Sequence, residues 1–193
     1  MNFAIPLAIL ASACSGKPSD TGGDSSGDTA VAPGAYGQGG WPIDYACNAD
    51  LTVTGDAVGD VTAGTALLDQ YGQTVDIHDF CSDAVLIVST AGWSDWDVGN
   101  LNTVQADYAS GLVVVVALFE NADHVAATQA DAAALAASTD ATYPILADTE
   151  SDLVTRFNDH GTIPVPTLLA PGAVVYLRDA LDAADHISEV LPE

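Results

Sequence analysis

Basic residues are nearly absent from this chain. Lys17, Arg156 and Arg178 stand alone against 27 acidic groups in 193 residues, a formal net charge of −24. Such a balance repels phosphate backbones and anionic membrane surfaces, which excludes nucleic acid as a partner. Glutamate is scarce as well: only Glu120, Glu150, Glu189 and Glu193 occur, so aspartate carries most of the charge. A lysine-poor, aspartate-rich surface suits a protein kept soluble in high salt, where ions screen its self-repulsion. The histidines, His78, His124, His160 and His186, are scattered. Neither they nor the acids show a metal-ligand spacing such as H-E-x-x-H, so no metal and no cofactor is expected. No histidine neighbours a serine nucleophile in sequence, so a hydrolase triad has no support beyond residue type. There is no internal repeat.

What is present begins with an address. Phe3 to Leu10 is an apolar run too short to span a bilayer, followed by Ala11-Ser12-Ala13 and Cys14. The segment resembles a bacterial lipoprotein signal, which implies removal of residues 1–13 and lipidation of Cys14. It departs from that pattern in having no basic residue before the apolar run and Ala11 where leucine is usual. An ordinary secretory signal cut near Ala13 is the alternative. Either implies export, and a lipid anchor would hold the acidic body at the bacterial cell envelope, in the periplasm or at the outer membrane.

Residues 14–40 are Gly, Ser, Asp, Thr and Pro with almost no large apolar side chain, the composition of a disordered tether. Asp20, Asp24 and Asp28 recur there without the ligand pattern of a calcium loop. Residues 41–60 form an N-terminal extension, and 61–193 carry the periodic pattern of one α/β domain. Thr65–Leu68 and Thr74–Ile77 flank Gly72 as a hairpin. Ala84–Ser89 is a buried strand, Val98–Ala109 a helix, and Leu112–Phe119 an uninterrupted β-branched run of the kind found in a central parallel strand. Ala126–Ser138 is helical, Tyr143–Ala147 a short strand, and Ser151–Asn158 a helix capped by Thr149 or Ser151. Thr167–Ala170 and Ala173–Leu177 flank Pro171-Gly172 as a second hairpin, with a last helix over Ala180–Val190. This order, hairpin, β-α-β-α-β-α, hairpin, helix, calls for a central mixed sheet flanked by helices.

The segment Ala91-Gly92-Trp93-Ser94-Asp95-Trp96-Asp97 occupies the strand-to-helix turn after the first buried strand. It resembles the "A-x-W-C-x-x-C" turn of thioredoxin-like and redoxin domains, with Ser94 and Asp97 at the two cysteine positions. Leu68–Val75 with Ile77-His78-Asp79-Phe80 resembles the same family's N-terminal hairpin, and Ile163-Pro164-Val165-Pro166-Thr167 resembles its "V-x-x-x-P-T" element. The likeness covers roughly Val61 to Pro192. It implies a thioredoxin-like fold, a cis bond at Pro166 facing the turn, and a backbone at Val165 that reaches a bound peptide or thiol.

The family's chemistry does not carry over. A thiolate attacks a disulfide and a second cysteine resolves the intermediate. The Ser94 hydroxyl is un-ionised at neutral pH, and Asp97 cannot form a disulfide. The peroxiredoxin pattern "P-x-x-x-T-x-x-C" is not met either, since Ala91 stands at the threonine and no cysteine follows. Ser94, Asp95 and Asp97 suit helix capping, or a polar notch where Trp93, Asp95, Val165 and Pro166 bind a protein or thiol partner without turnover. Cys47 and Cys81 make an even pair in an exported chain. They are a structural disulfide contributing about 3–4 kcal/mol, two buried thiols, or a redox-active pair. The expected function is therefore a non-catalytic binding or scaffold role at the envelope. The alternative is a thiol-disulfide oxidoreductase or antioxidant that uses Cys47 and Cys81.

Overall fold

The computed structural model describes residues 38–192. The signal, Cys14 and nearly all of the tether lie outside the described residues. One seven-stranded sheet is built in chain order from β1 (Ala66–Asp69), β2 (Thr74–Asp76), β3 (Ala84–Ala91), β4 (Leu112–Glu120), β5 (Ile145–Ala147), β6 (Val165–Ala170) and β7 (Val174–Leu177). Their spatial order is β2-β1-β5-β4-β3-β6-β7. β3, β4 and β5 are parallel, and the remaining neighbours pair antiparallel. The hairpin β1-β2 therefore extends the central sheet through β5 instead of standing outside it. Its turn is closed by Gly72 at φ 78°, a conformation glycine adopts without steric penalty.

The apolar run 112–119 lies at the middle of the sheet, as its β-branched composition requires. Its alternate residues feed two cores. Val114, Val116 and Leu118 pack with Leu86, Val88 and Ile145 under α2 (Leu101–Asp107) and α3 (Gln129–Thr139). Val113 and Val115 pack with Ile87, Leu146 and Leu169 under α4 (Asp152–Phe157), whose Leu153 and Phe157 are fully buried.

Several local expectations are corrected. The helix after the turn opens as a 3-10 turn, Val98–Asn100, before α2, and ends at Asp107. The last helix is a 3-10 helix, Ala183–Glu189. Neither Thr149 nor Ser151 caps α4. Ser151 makes no side-chain cap bond, and Thr149 donates to Ala127 O at 2.8 Å. The buried Asp148 carboxylate instead accepts from the N–H groups of Asp152, Leu153 and Val154 at 2.8, 3.0 and 3.3 Å, since a carboxylate satisfies several free amides at once.

The extension at 41–60 packs closely. It holds a short helix, α1 (Tyr45–Asp50), capped by Asp44. Trp41 and Ile43 are buried in the α4-side core, and the Trp41 indole N–H donates to Asp69 Oδ2 at 3.1 Å.

Candidate functional site

β3 is wholly buried up to Ala91 and then releases the chain into the turn. A register shift between Thr90 and Ala91 brings Glu120, the last residue of β4, opposite Ala91, and Gly92 N–H donates to Glu120 O at 2.8 Å. The bulge aims the next side chain. Trp93 leaves the strand end exposed, and its indole N–H donates to Glu120 Oε2 at 2.7 Å. Its ring stacks on His124, with centroids 5.0 Å apart.

Ser94 and Asp97 are committed to the backbone. Ser94 N–H donates to Ala91 O at 3.0 Å, and Ser94 Oγ accepts from Trp96 N–H at 3.3 Å. Asp97 is the N-cap of the 3-10 turn, accepting from Gly99 N–H at 2.9 Å. The helix therefore begins at position 98, three residues beyond the position where free amides could have favoured an anion on Ser94. Asp95 is exposed. Beneath the turn, Tyr143 donates to Val98 O at 2.6 Å. Burial and then the Asp97 charge push its phenol above the ordinary range, so it stays protonated.

No base is in place for Ser94. His78 bonds Thr62 O, His160 bonds Asp179, and His186 bonds Glu189. His124 lies under Trp93. Among the described residues no three His, Cys, Asp or Glu side chains gather as a metal cage.

The proline element differs from the expected arrangement. The cis bond is Ile163–Pro164, not Val165–Pro166. Val165 and Pro166 are buried inside the β6 ladder opposite Ser89 and Val88, where the backbone must be extended. The ladder ends at the pair Ser89–Val165, so Pro164 lies just before β6, toward the end of β3 where the turn starts. Trp93 and Asp95 are therefore presented together at the surface, and Val165 and Pro166 lie below it.

Cys47 and Cys81 are joined as a disulfide, with Cα atoms 6.0 Å apart. Cys81 precedes the first residue of β3, whereas the turn follows its last. Seven strand steps separate Ala84 from Ala91, about 23 Å at 3.3 Å each. The bridge cannot act on a group held at the turn.

Sequence reasoning missed Glu120 and His124. The break in the apolar run at Glu120 was their one local signal.

No family model and no curated protein matches the chain. Solved structures do. The thioredoxin domain of a thiol-disulfide oxidoreductase from Bacteroides vulgatus superposes with a TM-score of 0.55 at 14% identity, covering 70% of this chain and 99% of that one. A thiol-disulfide oxidoreductase from Bacteroides fragilis gives 0.55 at 14%, covering 70% and 100%. A thiol:disulfide interchange protein from Chlorobium tepidum gives 0.52 at 16%, covering 74% and 99%. The chain therefore has the thioredoxin-like α/β fold. It shares that architecture with thiol-disulfide oxidoreductases while carrying Ser94 and Asp97 at the turn.

Proposed function

We propose that this is a non-catalytic thioredoxin-fold binding protein, exported and held at a bacterial cell envelope by a lipid on Cys14. In this reading the turn Ala91–Asp97 presents Trp93 and Asp95 to a partner. The observation that carries it is the commitment of Ser94 and Asp97, the residues the resemblance sets at the family's two cysteine positions, to local structure: Ser94 Oγ accepts from Trp96 N–H and Asp97 caps the following turn. Neither side chain can attack or resolve a disulfide, and no imidazole bonds Ser94. Among the described residues no helix is long and apolar enough to cross a membrane.

The Cys47–Cys81 disulfide favours a second reading, thiol-disulfide exchange at the far end of β3. Insulin reduction and peroxide consumption, each with a dithiol as reductant, separate the two. The first reading expects no turnover from the wild type, and Ser94→Cys with Asp97→Cys gains disulfide exchange as the positive control. Wild-type turnover that disappears in Cys47→Ala/Cys81→Ala overturns the first reading in favour of the second.

A further inference from the structure

Trp93 is exposed yet fixed. Gly92 lies so close to the loop after β4 that a Cβ there would stand 2.9 Å from Ala122 N and 3.0 Å from Asn121 C. The chain therefore leaves β3 at one angle. Glu120 holds the indole N–H, and the His124 ring supports one face at 25° between planes. His124 is itself placed by a loop in which Asn121 Oδ1 accepts from Asp123 N–H at 2.9 Å and Val125 N–H at 3.4 Å. Trp93 as a residue remains 38% exposed. Its rotamer freedom is already spent, so contact with it requires little further ordering.

A cleft of about 340 Å³ opens between the turn, the end of β4 and α3, lined by Gly92, which precedes Trp93, and by Asn121 and Ala122 of the loop that carries His124. Leu118, Leu135, Ala122 and Ala134 make it mainly apolar, and Asp131 stands in its wall. Glu120 ends β4 two residues after Leu118, and the exposed Asp95 and Asp123 lie on the turn and on the loop after β4. No arginine among the described residues offsets these acids. Arg156 donates to Ala63 O, and Arg178 donates to Asp56 O and both Asp159 oxygens, on other parts of the chain.

The geometry points to a docking site for a basic segment of a partner polypeptide. A lysine or arginine side chain crosses the free face of Trp93 beside Glu120, and a neighbouring aliphatic side chain fills the cleft against α3. A cation is attracted to the indole face by the ring quadrupole, and indole is the best of the aromatic platforms. The apolar floor accounts for the second contact, and the acidic rim selects against anionic segments. The net charge of −24 steers a basic partner toward the protein at low ionic strength. This inference rests on the non-catalytic reading and adds the chemistry of the partner.

The test uses the full chain and three capped heptapeptides, Gly-Ser-Lys-Leu-Arg-Gly-Ser, its Glu-Leu-Glu counterpart, and a Lys-Ser-Arg version. Binding is followed by NMR at the Trp93 indole N–H and the α3 amides. The Lys-Leu-Arg peptide is expected to shift the Trp93, Ala134 and Leu135 signals saturably, and the other two bind more weakly. Trp93→Ala, and Ala134→Leu, which fills the cleft with a good helix former, each weaken binding about fivefold or more, the worth of one such contact. Equal binding of the Glu-Leu-Glu peptide, shifts spread over the acidic surface, or unchanged affinity in both variants overturns the docking site. That failure leaves the non-catalytic reading standing, whereas insulin reduction by the wild type removes that reading whatever the peptides do.

Discussion

Reducing the Cys47–Cys81 bridge tests what holds the N-terminal extension to the domain. The cross-link spans 34 residues. On the loop-entropy scale a closed loop of that length stabilises the native state by about 3.8 kcal/mol, chiefly by restricting the unfolded chain. The extension has other attachments that survive reduction. Trp41 and Ile43 are each 5% exposed, and each such side chain contributes about 1.5–3 kcal/mol by burial. Asp44 N–H donates to Asp79 O at 2.7 Å, and Ser82 Oγ donates to Asp44 Oδ2 at 2.6 Å. The fold should therefore persist with its midpoint lowered by about 8–15 °C, from about 2–4 °C per kcal/mol at this chain length. The assay is thermal unfolding for the midpoint and urea unfolding for the free energy, on oxidised wild type, reduced wild type and Cys47→Ala/Cys81→Ala, with the Trp93 indole N–H followed by NMR. Reduced wild type isolates the cross-link, because both sulfurs remain. A loss under about 1 kcal/mol refutes the cross-link account, given the scale above. A Trp93 signal that moves on reduction refutes the separation of the two ends of β3.

Gly92→Ala should destabilise the protein by about 1–3 kcal/mol, since backbone atoms must give way to the new methyl. It should also pull the indole N–H off Glu120; unchanged stability with an unmoved indole resonance would disprove the close approach. His186 should titrate above its ordinary 6.5, because its hydrogen bond to Glu189, backed by the charges of Glu189 and Asp182, favours the imidazolium. The proton is then held more tightly folded than unfolded, so this contribution to stability is complete below about pH 6.5 and lost as pH rises through the folded-state pKa. NMR titration, with His186→Gln removing that part of the stability profile, checks both points; a value at or below 6.5 contradicts them. The melting temperature should rise over the first few hundred millimolar sodium chloride as the Debye length contracts from about 30 Å at 0.01 M to about 8 Å at 0.15 M. A flat or falling trend means that self-repulsion among the acids does not limit stability.

Residue type and short-range periodicity by themselves determined much of this protein. The β-branched run at 112–119 had to be a covered central strand, because no other setting buries both of its faces. Gly72 and Pro171-Gly172 marked the two hairpins because turn geometry is local. Serine and aspartate at 94 and 97 excluded sulfur chemistry at the turn without any coordinates. The tertiary structure alone decided what depends on register and on distant partners. Pro164 and Pro166 are equivalent by local rules, and only pairing of β6 with β3 distinguishes the ladder position from the bond that precedes it. Glu120 and His124 lie 27 and 31 residues from Trp93, so the platform under the indole became visible only once β4 was set beside β3. Trp41 closed on the core through Asp69, and Asp148 displaced Thr149 and Ser151 as the cap of α4. In each case several residues satisfied the local rule, and the free energy of burying one of them against a remote neighbour made the choice.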